Sequence, residues 1–171
     1  MRARSLSVAA VAAALVLGRP GLAIAADDPA TTVTYTVTSG ALTLSVPVSA
    51  DLGSGAPGTA ISGAIGPVTV TDDRALLSAS WTVTAAETDF TSGASTIPAT
   101  SADYDPGSIT TTGTITVTGT PVTLSNSAQT VVTGTAGVGD NTATWNPTAT
   151  VHVPVGAVGG TYTGTLTQSV A

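Results

Sequence analysis

A chain of 171 residues with 4 Lys/Arg, 10 Asp/Glu and no cysteine has neither disulfides nor thiol chemistry available to it. Three of its basic residues are Arg2, Arg4 and Arg19, so beyond them Arg74 stands alone against ten acids. That balance excludes nucleic acid as a partner, because nothing neutralises phosphates, and it disfavours direct docking on an anionic membrane.

In chain order, Met1–Arg4 is a short basic stretch and Ser5–Gly18 an apolar one, too short for a comfortable membrane span. Ala23-Ile24-Ala25 follows with the small-x-small pattern of a cleavage site. The sequence therefore predicts a secretory signal peptide over residues 1–25 and an exported mature chain over 26–171 without a membrane span. The mature part is long enough for one domain with a sizeable core.

Strand patterning then runs to the end. Val33, Tyr35 and Val37 alternate with threonines, and Leu42, Leu44, Val46 and Val48 repeat the period, with Ser39-Gly40 as the predicted hairpin connection. Further predicted strands are 67–72, 76–86, 108–119, 121–124, 129–134, 142–155 and 161–170. Their Thr, Val and Ile suit a pleated, half-buried surface. Residues 51–66 and 92–107, rich in Gly, Ser and Pro, read as loops. Seven or more strands cut by turn residues predict an all-β, antiparallel β-sandwich of immunoglobulin-like architecture.

Trp81 lies in phase with Leu77, Ala79 and Val83, which favours the core over an exposed sugar-stacking platform. Trp145, in phase with Ala143 and followed by Asn146-Pro147, is the better placed of the two for a ligand platform. Both are candidate ligand-binding residues. Asp72-Asp73-Arg74 reads as a strand end whose arginine pairs locally with carboxylates, since neighbouring strand residues face opposite ways. Asp103-Tyr104-Asp105-Pro106-Gly107 is a D-x-D-x-G fragment that makes Asp103 and Asp105 candidate calcium ligands, although no third ligand or closing bidentate acid follows. The alternative is a polar turn.

His152, the only histidine, is flanked by inward-pointing Val151 and Val153 and is expected on the outer face. One histidine without cysteine or a nucleophile elbow gives neither a zinc site nor a catalytic triad. No carboxylate pair is marked as buried and facing, so no enzyme and no cofactor are expected.

The order VTVTDDR, SASWTVTA, TDFTSG over residues 68–93 resembles the first half of the WxL domain of Gram-positive surface proteins, with Val83 for the family's Leu. The closing run VPVGAVGGTYTGTLTQSV is similar to that family's last strand, except that Gln168 stands where a second Trp belongs. The resemblance implies an extracellular β-sandwich that binds cell-wall peptidoglycan, or other surface proteins, non-covalently. The replacement at Gln168 weakens the ligand part of that implication. The alternative expectation is a self-associating coat or fimbria-like surface protein, suggested by charge-poor strands with no lysine to guard their edges.

Overall fold

The computed structural model describes residues 31–171, within which Thr36–Ala171 form one compact unit. The predicted signal peptide lies outside the described residues. Strands follow in the order β1 (Leu42–Ser45), β2 (Ala60–Ala64), β3 (Val68–Asp72), β4 (Ala79–Glu87), β5 (Phe90–Ser92) and β6 (Ser95–Ile97). After a single 3-10 turn, Ala99–Ser101, come β7 (Ala102–Asp105), β8 (Ile109–Gly119), β9 (Val122–Thr123), β10 (Gln129–Trp145), β11 (Thr148–His152) and β12 (Leu166–Val170). Among the described residues no helix is long and apolar enough to cross a membrane. The all-β antiparallel sandwich expected from the alternation is what the chain forms.

Strand β10 organises the larger sheet. One of its edges pairs with β8, and the other pairs first with β4 and then with β3. Strands β3 and β4 both run antiparallel to β10, end to end, separated by the excursion of residues 73–78. Strands β1 and β12 add outside β3 and β4. The smaller sheet has the order β2-β11-β7-β9.

Three short linkers join strands of one sheet directly to strands of the other. β2 leads into β3, β7 into β8 and β10 into β11, and the neighbour order β3-β10-β8 is repeated as β2-β11-β7. A three-stranded ribbon thus bends once to contribute to both layers. Each linker at the bend carries a proline (Pro67, Pro106 and Pro147), which has no N–H to give a ladder. The bend is tied by Ile65 N–H donating to Pro147 O (2.8 Å) and Gly66 N–H donating to Asn146 Oδ1 (3.0 Å).

Alternation decides what the layers enclose. Val68, Val70, Trp81, Val83, Ala85, Ala143 and Trp145 point inward with Ala102, Tyr104 and Leu124 from the facing sheet. Each valine or leucine so buried contributes roughly 1.5–3 kcal/mol. Val131 and Val132 are adjacent yet both buried, because the β10–β4 register slips between Thr130 and Val132.

Several expectations are corrected. Ser39-Gly40 makes no hairpin: Gly40 N–H donates to Asp73 O (2.6 Å), and a Cβ at Gly40 would lie 2.7 Å from that of Asp73. Val33, Tyr35 and Val37 belong to no strand and are 81%, 87% and 72% exposed. Residues 51–66 contain β2, and residues 92–107 contain β6 and β7. The two strands expected over 129–134 and 142–155 become the continuous β10 followed by β11. Leu77, read as in phase with Trp81, sits in the excursion before β4 and is exposed.

Candidate functional site

Both tryptophans are in the core, each 2% exposed, so neither presents a ring to solvent. Trp81 packs on Gly134, its partner across the β10–β4 ladder, where a Cβ would fall inside the indole. Its Nε1–H finds no acceptor. Trp145 is better satisfied. Its Nε1–H donates to the Tyr104 hydroxyl (3.0 Å), which donates to Gln168 Oε1 (3.0 Å). Burial pushes the Tyr104 phenol up to about 12, against the opposing effect of the Trp145 hydrogen bond, so it stays a neutral donor. Gln168 therefore ends a polar chain between the two sheets.

Glu87 closes β4 and points inward by strand phase, only 6% exposed. Its Oε1 has no hydrogen-bond partner and lies against Phe90 and the Gly164 backbone. Loss of solvent pushes the carboxyl up to about 7, with the Thr88 backbone hydrogen bond opposing. Glu87 lines a cleft of about 930 Å³ between the sheets. Apolar walls come from Ile61, Phe90, Leu124, Val151 and Leu166, with Gln168 on the floor. The segments Val46–Gly55 and Ala157–Thr165 border the cleft.

Asp103 and Asp105 lie two apart on β7 and are separately engaged. Asp103 Oδ1 accepts from Thr123 Oγ1 (2.7 Å), and Oδ2 lies 2.9 Å from His152 Nε2. The Thr123 hydrogen bond, then that of His152, holds the Asp103 carboxyl below its usual value. Asp105 Oδ1 accepts from Gly107 N–H (2.9 Å), a side-chain turn. Among the described residues no three His, Cys, Asp or Glu side chains gather as a metal-ligand group.

Arg74 makes a bidentate pair with buried Asp72: Nε donates to Oδ1 (2.8 Å) and Nη2 to Oδ2 (2.9 Å). It also donates to Ser80 O (2.9 Å), bridging β3 and β4 across their break. The Arg74 hydrogen bond, the largest influence on Asp72, holds that carboxyl below its usual value despite burial.

The exterior carries one further feature. Strand β8 pairs only with β10 and has no charged residue along Ile109–Gly119. Its Ile115 and Val117 are half-buried, and the threonines of the strand are exposed.

The sequence signals led to Trp81, Trp145, Asp103 and Asp105; the structure brings the two tryptophans into one core cluster and leaves the two aspartates in separate hydrogen bonds. The inward settings of Glu87, Tyr104 and Gln168 were missed. The period of β4 put Glu87 in phase with Trp81, which was the available signal. Asp103 and Asp105 around Tyr104 disguised an inward position as part of a loop. No family model matches the chain, and neither a curated protein nor a solved structure does.

Proposed function

We propose that the chain is an exported, non-catalytic surface module that assembles with further copies of itself by strand addition. The segment Thr32–Thr38 of one copy would pair with the free edge of β8 in the next. The observation that carries this reading is the exposed row Val33, Tyr35 and Val37, an uncharged strand pattern in no strand. Free sheet edges are ordinarily guarded by charge, proline or bulges, and β8 offers eleven uncharged residues. An added strand would cover Ile115 and Val117 with the donor's apolar row. Main-chain hydrogen bonds give such pairing its affinity and side-chain pockets its register. Donor and acceptor are different surfaces, so the contact is head-to-tail and propagates unless it closes into a ring.

Size-exclusion chromatography with light scattering tests it, using Tyr35→Asp as a donor variant and Thr116→Lys as an acceptor variant. Wild type should grow with concentration, and each variant alone should stay monomeric. Mixed together they should form dimers and stop, because one supplies an intact β8 and the other an intact donor. A wild type that is monomeric at every concentration sinks the proposal. Wall association, implied by the WxL resemblance, has a narrower footing with both tryptophans in the core. Tyr35 is then the exposed ring, and co-sedimentation of the Tyr35→Asp variant with peptidoglycan tests that second reading.

A further inference from the structure

The cleft beside Glu87 concerns a different surface from β8 and is independent of self-assembly. It is a cleft of about 930 Å³ with a mixed apolar and polar lining, in which Ile61, Phe90, Val151 and Leu166 stand beside one buried carboxyl that lacks a partner on Oε1. Among the described residues no cation is paired with that carboxyl. Arg74 is the only Lys or Arg among the described residues, and it is bound to Asp72 and Ser80. A buried acid left without a counter-charge is costly, and an approaching cation relieves that cost in a low-dielectric setting. Gln168 completes the polar end. It lies on β12 beside β4, where Leu166 faces Glu87 and Gln168 faces Ala85. Its Oε1 is taken by Tyr104, which leaves the amide nitrogen to meet a ligand. Asp51 adds a second negative charge to the lining.

We infer that this cleft binds a small alkylammonium ligand, its apolar stem between the sheets and its ammonium against Glu87. The apolar walls select the stem. The carboxylate discriminates an amine from an alcohol or a carboxylic acid of the same length. An alkanoate would bring a like charge to Glu87 and is rejected.

Calorimetric titration of the full mature chain with hexylammonium, 1-hexanol and hexanoate tests the inference. Wild type should bind hexylammonium saturably and about tenfold or more tighter than 1-hexanol, the gain of a charge-assisted hydrogen bond. Glu87→Gln should bind the two alike, and Asp73→Asn, an exposed control, should behave as wild type. Glu87 is also followed directly by the carbon-13 shift of its carboxyl, which should move on adding hexylammonium. The inference is overturned by any of three results: no saturable hexylammonium binding, equal binding of 1-hexanol by wild type, or an amine preference kept in Glu87→Gln.

Discussion

Trp145 and Tyr104 sit on opposite sheets and share a buried hydrogen bond of 3.0 Å, indole N–H to phenol oxygen. Because the same hydroxyl donates onward to Gln168, its removal strands two polar groups at once. Tyr104→Phe should therefore cost about 1–3 kcal/mol, the penalty of a buried unpaired donor. Chemical denaturation of the single and Tyr104→Phe/Gln168→Leu variants checks this. The double variant should lose less than the sum of its parts, since Gln168 has no partner left to lose.

Gly134 should tolerate no side chain. A Cβ there enters the indole of Trp81, and the displaced ring has only the packed core to move into. Gly134→Ala is expected to destabilise by ~1–3 kcal/mol, as overpacked cores do. Thermal unfolding measures the loss. The companion Gly93→Ala faces open space but has φ +56 and should show only the smaller strain of a left-handed alanine.

Glu87 and Asp72 act oppositely on the pH dependence of stability. Glu87 is near 4.5 unfolded and about 7 folded, so the folded chain is favoured below pH 4.5. That advantage declines as pH rises through the interval and is gone above about 7, a change on the order of 3 kcal/mol. Asp72 is shifted downward, so its contribution is present above its ordinary value of 3.8 and is lost as pH falls below it. Stability from these two groups should peak near pH 4–5. In Glu87→Gln the decline from pH 4.5 to 7 should vanish while the acid limb remains, as read by melting temperature across pH.

Arg74→Met should be more harmful than removing a surface cation. It leaves the Asp72 carboxylate buried without its bidentate partner and unties Ser80 from β3. A loss on the order of 3 kcal/mol is expected by equilibrium unfolding. Asp72→Asn in the Arg74→Met background should recover part of it, because an amide is cheaper to bury than an unpaired charge.

Alternation alone identified β3 and β4, which carry a buried row, and β8 and β12, whose inward residues are half-buried, but it divided β10 into separate segments. It failed where burial did not follow composition. Tyr104 is fully buried although it is flanked by two aspartates, so it does not look like core. It failed in the opposite sense at Val33, Tyr35 and Val37, where the pattern is perfect and no strand forms. A period reports how a segment could pair but does not supply the partner. The polar chain through Gln168 was illegible for a different reason, since its three members lie on β7, β10 and β12 and only the fold brings them together.

The bend marked by Pro67, Pro106 and Pro147 ties the fate of the two layers. Its linkers are short: three residues separate Ala64 from Val68 and Asp105 from Ile109, and two separate Trp145 from Thr148. One residue inserted at Asn146 would push β11 a step out of phase with β2 and β7 together. Ala149 and Val151 would turn outward while Thr150 and His152 turned in. No loop exists there to absorb the slip, so an error in one ladder is copied into its neighbours. The molecule can vary freely at its margins, but along that crease its length is fixed residue by residue.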